Sequence, residues 1–216
     1  MNNKINVKVC GMTRETDIEQ VLSLGADYLG FIVYPKSSRA LKLERAAELS
    51  AIVPSGKRVL VDVGTDPVDL ERYKRAGFDH FQIHVNSSPE RQILVEYVNI
   101  VGRDHLWLAP RLAPADSFPE WILEYTKTIV FDTYSKDQIG GTGRTGDFAH
   151  FAELKERFAD TEWVLAGGLS SANIVNAVKE SNALAIDVNS GVEKAPGVKD
   201  PEKLREFFQV ALNIEH

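Results

Sequence analysis

The chain alternates short apolar runs with longer stretches of helical spacing. Residues 4–12 open it with a strand in which Ile5, Val7 and Val9 alternate with polar partners, stopping at Cys10-Gly11. Ile18, Val21 and Leu22 follow at helical spacing, with Thr13, backed by Thr16 and Asp17, as the helix start and Gly25 as its end. Residues 28–33 form a near-continuous apolar run, the pattern of a strand covered on both faces. The same grammar then repeats. It predicts helix 43–53, strand 59–63, helix 67–76 between Asp66-Pro67 and Gly77, strand 81–84 and helix 89–101. Strand 106–112 comes next, with Pro110 awkward inside it because proline cannot donate to a ladder. A short helix 118–125, strand 128–132 and a long loop 133–146 follow. The remainder reads as helix 148–158, strand 163–166, helix 171–180 with Ser170 or Ser171 as N-cap, strand 184–188, loop 189–192 and helix 201–212.

These are eight strand-then-helix units with short connections. Such alternation implies parallel strands with helical crossovers, and eight units close into a (β/α)8 TIM barrel. The competing arrangement is an open doubly wound sheet, which calls for a dinucleotide fingerprint after the first strand. The first turn here, Cys10-Gly11-Met12-Thr13-Arg14, is not G-x-G-x-x-G. No composition shift or linker divides the 216 residues, so residues 1–216 read as a single α/β barrel domain.

Composition narrows the function classes. A hydrophobic share of 44% suits a globular core, and a net charge of −6 without a basic patch argues against a nucleic-acid partner. One cysteine cannot form an internal disulfide, and no C-x-x-C or H-E-x-x-H spacing marks a metal site. No signal-peptide h-region opens the chain and no apolar run approaches the roughly 20 residues of a membrane span. The expectation is a cytoplasmic protein with no membrane partner that needs no structural metal.

A barrel keeps its chemistry at the C-terminal ends of its strands. There the sequence offers one thiol (Cys10), carboxylates (Asp62, Asp132, Asp187), two arginines (Arg39, Arg111), Gln82 with His84, and several glycines. Cys10 alone reads as a small buried hydrophobe, though it stands where a strand hands over to a loop, the place where α/β enzymes keep their chemistry. Gly167-Gly168 after the seventh strand and Ser190-Gly191 after the eighth are turn formers, but barrels bind phosphate at these two loops, so together they point to a phosphorylated ligand. Arg39 offers a guanidinium fork to a planar carboxylate, or is a solvated loop charge. Asp132, closing the apolar run Ile129-Val130-Phe131, is a helix cap or an acid with a raised pKa. The run 140–146, GGTGRTG, suggests a lid or an anion cradle.

Several motifs resemble the phosphoribosylanthranilate isomerase family of tryptophan biosynthesis, in order and over nearly the whole chain. They are Lys8-Val9-Cys10-Gly11-Met12, Gly30-Phe31, Pro35-Lys36-Ser37-Ser38-Arg39, Gln82-Ile83-His84, Phe131-Asp132-Thr133, the glycine-rich run, Ala166-Gly167-Gly168-Leu169, and Asp187-Val188-Asn189-Ser190-Gly191-Val192-Glu193. The resemblance implies an Amadori rearrangement without cofactor, with Cys10 as general base and Asp132 as general acid. It also implies that Arg39 and Asp187, with Gln82 and His84, contact the substrate, and that Gly167, Gly168, Ser190 and Gly191 hold its phosphate. A monomer or homodimer is expected. The chain departs from the family pattern at Ala40, Asp62, Val85, Ala109-Pro110 and Gly146. Asp62 would set a negative charge near an anionic substrate, so it is expected to be paired or to tilt away. The base role calls for a Cys10 pKa near or below that of a free thiol. The other readings are a different phosphosugar isomerase or epimerase, and a non-catalytic barrel that binds a phosphorylated ligand. Cys10 on the first strand speaks against the aspartate-pair aminoaldose isomerases of the histidine pathway, and turnover without metal separates all three.

Overall fold

The structure, a computed structural model, describes residues 4–112, 116–132 and 148–214. Eight parallel strands close in sequence order: β1 (Asn6–Val9), β2 (Tyr28–Ile32), β3 (Arg58–Val63), β4 (His80–Val85), β5 (Leu106–Pro110), β6 (Thr128–Asp132), β7 (Glu162–Ala166) and β8 (Ala185–Val188). β8 pairs back onto β1, with Lys8 opposite Asp187. Outside the strands lie α1 (Glu15–Ser23), α2 (Leu43–Ser50), α3 (Pro67–Arg75), α4 (Arg91–Val101), α5 (Phe148–Arg157), α6 (Ile174–Ser181) and α7 (Pro201–Ala211). Between β5 and β6 the crossover is a 3₁₀ helix, Glu120–Glu124, rather than an α-helix. No helix among the described residues is long and apolar enough to cross a membrane.

Strand side chains alternate between two environments because the strand period is two. Val7, Val9, Leu29, Phe31, Leu60, Ile83, Leu108, Ile129, Leu165 and Ile186 point outward and are buried against Ile18, Leu49, Leu70, Leu94, Phe151, Ile174 and Phe207 of the helices. The opposite faces fill the barrel with a smaller cluster of Cys10, Val59, Val61, Trp107, Ala109, Val130, Val164 and Ala166. The interior is therefore packed below and polar above, as barrel interiors are.

Several predicted boundaries move, each for a local reason. Thr13 does not cap α1; its hydroxyl donates to the Gly197 carbonyl, and the cap position falls to Arg14, whose guanidinium pairs with Asp17. Neither Ser170 nor Ser171 caps α6. The helix starts after Asn173, whose Oδ1 turns back to accept from the Ser170 N–H at 2.8 Å. β5 stops at Pro110, which is tolerable there because the next ladder donor is Arg111 N, bonded to Val85 O at 2.9 Å. The 189–192 loop contains a 3₁₀ turn, Ser190–Val192, and runs into an unforeseen hairpin, β9 (Glu193–Ala195) with β10 (Val198–Lys199). His80, which reads as a surface residue, opens β4 and sits half-buried, its ring 5.1 Å from Trp107 and 5.4 Å from Tyr28. The run 140–146, with the departure at Gly146, lies outside the described residues.

Asp62 does tilt away from the mouth. It occupies an outward position between Val61 and Val63 and is tied to the helix layer, accepting from Thr65 Oγ1 at 2.9 Å and from Tyr73 Oη of α3 at 3.0 Å. Neither Arg39 nor Arg111 is needed to neutralise it. Tyr73→Phe leaves this buried carboxylate with one donor fewer, so it should lower unfolding stability by about 1–2 kcal/mol in urea titration. An unchanged midpoint would show the bond to be dispensable.

Candidate active site

The polar cluster at the top of the barrel begins with a register. Because β1 lies beside β8 with Lys8 opposite Asp187, the two inward side chains meet, Nζ to Oδ2 at 2.7 Å. Both are buried; Lys8 is only 1% exposed. Burial works against the Lys8 ammonium, but Asp187 and Cys10 outweigh it and its pKa is raised. Cys10 lies one inward position further along β1, at the start of the loop, and its sulfur and the Lys8 ammonium converge on the same space beside β2. Gly30 of β2 makes this possible. A Cβ there would lie 2.8 Å from Cys10 Sγ and 3.1 Å from Lys8 Nζ, so the missing side chain is the room that thiol and ammonium occupy.

Asp132 ends β6 opposite Ala166 of β7. Burial first, and then the Asp187 charge, push its carboxyl up to about 6, while Lys8 and Arg111 pull the other way. This is the raised acid that the apolar run before it foretells. Cys10 departs from expectation. Burial pushes its thiol up, Lys8 and Lys199 pull it down, Asp187 adds to the push, and the net direction is upward. The free protein therefore carries this group as a thiol at neutral pH.

His84 and Gln82 are successive inward residues of β4, with Gln82 Nε2 3.1 Å from His84 Nε2. Burial, then Arg111 and Lys8, lower the His84 pKa to about 4, so the imidazole is neutral and its Nε2 accepts from the amide. Three buried polar atoms around this opening have no hydrogen-bond partner among the described residues: Gln82 Oε1, Arg111 Nη2 and Asp187 Oδ1. Buried polar groups are almost always bonded, so their gathering marks a place suited to a polar ligand.

The rim is built by glycines. Gly167 and Gly168 follow β7 with φ of 98° and 62°, left-handed conformations that glycine adopts without strain. A Cβ on Gly191 would fall 1.9 Å from the Leu169 carbonyl oxygen, so the loops after β7 and β8 touch there. The backbone N–H groups of Gly168, Leu169, Ser190 and Gly191 donate to no backbone carbonyl among the described residues. Four such donors on touching loops, beside a short helical turn, form an anion cradle.

Arg39 closes the other side. Its Nε (2.9 and 3.1 Å) and Nη2 (2.6 Å) grip the Glu193 carboxylate. Lys199, buried, donates to Glu193 Oε1 at 3.1 Å and Asn189 Oδ1 at 3.0 Å. Burial opposes the Glu193 charge, but Arg39 and Lys199 prevail and hold its pKa below the usual range. Arg39 thus reaches the mouth as part of an ion network rather than as a free fork. The sequence reading offered Arg111 as a strand-end arginine without a role and did not single out Lys8, Glu193 or Lys199 as site residues. The available signal was a lysine two residues before the thiol, hence on the same face of the strand.

A family model described as "PRAI: N-(5'phosphoribosyl)anthranilate (PRA) isomerase" matches residues 7–210. The N-(5'-phosphoribosyl)anthranilate isomerase of Chromohalobacter salexigens is 34% identical over 210 residues, covering 95% of this chain and 93% of that protein. Among solved structures, phosphoribosyl anthranilate isomerase from Thermotoga maritima superposes with a TM-score of 0.81 at 28% identity, over 96% of this chain and 98% of that one. A phosphoribosyl anthranilate isomerase bound to reduced 1-(o-carboxyphenylamino)-1-deoxyribulose 5-phosphate gives a TM-score of 0.79 at 27% identity, again over 96% and 98%. With a thiol, a raised carboxyl and an anion cradle on one barrel mouth, and with this match along nearly its whole length, the chain belongs to the N-(5'-phosphoribosyl)anthranilate isomerase family.

Proposed function

We propose that residues 1–216 act as one barrel domain catalysing the Amadori rearrangement of N-(5-phosphoribosyl)anthranilate to 1-(2-carboxyphenylamino)-1-deoxyribulose 5-phosphate, with Asp132 as general acid and Cys10 as general base. The observation that carries this reading is the combination on one opening of the chain's sole thiol with a carboxyl whose pKa is pushed up to about 6. The backbone donors of Gly168, Leu169, Ser190 and Gly191 suit the phosphate, with Gly167 shaping the turn that presents them.

The chemistry follows from these protonation states. Asp132 gives its proton to the furanose ring oxygen as the C1–O bond breaks, and the substrate nitrogen supplies the electron pair that forms an iminium. The iminium makes the C2 proton acidic and Cys10 removes it, the electron pair moving into the C1–C2 double bond. The enolamine then tautomerises to the ketone, with a proton delivered to C1 and one lost from the C2 hydroxyl. Asp187, Gln82 and His84 line the pocket with hydrogen-bonding capacity for the sugar. Arg39 keeps only its Nη1 free of Glu193 and offers that edge to the anthranilate carboxylate. The raised thiol pKa is compatible with the base role because the iminium places a positive charge one carbon away from the proton being removed. That charge raises the acidity of C–H and favours thiolate over thiol.

Cys10→Ala should abolish nearly all turnover, followed as loss of substrate fluorescence, while product still binds in titration calorimetry. Full activity in this variant would remove the base assignment. In the native enzyme kcat/KM should climb with pH to a bend near 6 and then level off. Below the bend Asp132 is protonated and each increment of pH adds thiolate; above it, loss of the Asp132 proton cancels that gain. In Asp132→Asn the residual rate, lower by about 10²–10⁴-fold, should keep rising past the bend; a profile still bending there assigns the ionisation to another group.

Stability supplies an independent check on Asp132. Its folded-state pKa lies above the unfolded value, so the unfolded chain loses the proton first. Stability therefore falls as pH rises from the ordinary carboxylate range through about 6, and the penalty is complete above it. Asp132→Asn should raise unfolding stability by about 2 kcal/mol near neutral pH and leave it unchanged below about pH 4. Equal effects at both would disprove a raised carboxyl. At the rim, Gly191→Ala drives a methyl into the Leu169 carbonyl. It should raise KM more than it lowers kcat, and inorganic phosphate should inhibit the variant more weakly.

A further inference from the structure

The steps above leave the buried Lys8 ammonium unused. Lys8 is among the largest fully buried side chains of the protein, and it stands on the inward face two residues from the proposed base. Its environment is built rather than incidental. Asp187 anchors one N–H at 2.7 Å, and Gly30 keeps the space in which Nζ and the Cys10 sulfur converge. A buried ammonium costs several kcal/mol of desolvation, and hydrophobic residues of like volume often serve stability better. Structural need alone therefore does not account for a lysine at this position.

We infer that Lys8 is a positioning residue for the reaction: anchored by Asp187, its ammonium serves as the counter-ion of the Cys10 thiolate and aims the sulfur at the barrel mouth. The inference rests on Cys10 acting as base and deepens that reading. The charged groups facing the sulfur are Lys8 on its own strand, Asp187 on β8, Lys199 on β10 and Arg39 in the loop after β2. Lys8 is faced in addition by Asp132 on β6 and by neutral His84 on β4. Of these, Lys8 is the cation that is both anchored by Asp187 and converges with the sulfur on the space left by Gly30. Lys8 and Asp187 therefore act on the thiol with opposite sign. The ammonium favours the thiolate, while the carboxylate disfavours it, both directly and by claiming part of the ammonium.

The test is the ionisation of Cys10, which is unambiguous because the chain has no other cysteine. It is read in the free, full-length protein as the pH inflection of iodoacetamide alkylation, with brief pH jumps, and as thiolate absorbance. Lys8→Met should move the inflection up by about one pH unit or more, and Asp187→Asn should move it down. At a fixed pH near neutrality, about tenfold less thiolate in Lys8→Met lowers kcat about tenfold, with KM within about threefold of native. A role confined to folding would change melting temperature and leave the inflection in place. If both inflections stay at the native value, or if Lys8→Met moves down, the inference is overturned. Should Lys8→Met fail to fold, the downward move in Asp187→Asn decides alone. Because the inflection is measured without substrate, its failure is distinct from failure of the base assignment, which Cys10→Ala tests.

Discussion

The structure turns on the seam where the last strand meets the first. A barrel exists only if β8 finds β1, and in this chain that pairing sets Lys8 against Asp187 in a dry interior. A one-residue slip would turn Lys8 toward the outer hydrophobic layer and bring Val7 or Val9 inward. An ammonium among Ile18, Leu29 and Phe207 would find no partner there, so the slipped register is excluded at a cost of several kcal/mol. The pair therefore specifies closure more than it stabilises it, since a buried ion pair roughly breaks even against its desolvation. The same register delivers Cys10 to the mouth.

The mouth itself is held away from the comfortable solution. Asp132 and Asp187 raise each other's difficulty by like charge, His84 is kept neutral between Arg111 and Lys8, and a thiol is buried where its ionisation is resisted. None of this favours the folded state. It favours an anionic sugar derivative that passes through a cation, because a site with a raised acid and unsatisfied dipoles lowers its energy most when that charge forms. The outer layer, with its dense contacts between strands and helices, carries the stability that the mouth gives up.

The fold was readable because the outward faces of eight strands and the helices over them all obey their periods, and Asp66-Pro67, Gly25 and Gly77 punctuate them in the ordinary way. The interior was harder. Along β1 the polar positions look like a solvated face, yet Lys8 faces the barrel; only closure distinguishes the two, and closure is non-local. His80 is hard to place for the same reason, being an inward residue of β4 that resembles a surface one. Local hydrogen-bond competition explains the caps: Thr13 and Asn173 spend their side chains on Gly197 and Ser170, partners that sequence spacing does not reveal. Cys10, Asp132 and the glycine loops were identifiable as types at strand ends. The upward direction of the thiol pKa was not, because it depends on burial and on charges from β8 and β10.

The β9–β10 hairpin shows how such distant pieces cooperate. It hangs after β8 and would be an isolated two-stranded ribbon, which is marginal alone. Glu193 and Lys199, its two buried charges, fasten it instead, through Arg39 to the loop after β2 and through Asn189 to the end of β8. Gly11, at φ 75°, lets the first loop pass beneath, since a Cβ there would strike Asn189 Oδ1 at 2.7 Å and Arg39 Cδ at 2.9 Å. Loops after β1, β2 and β8 are thereby fixed to one another around a single carboxylate. An arginine gripped at Nε and Nη2 has little freedom left, so whatever its remaining edge contacts is met in one orientation. Preorganisation of this kind spends its entropy during folding rather than at each turnover, which is the physical advantage of giving Arg39 a permanent partner.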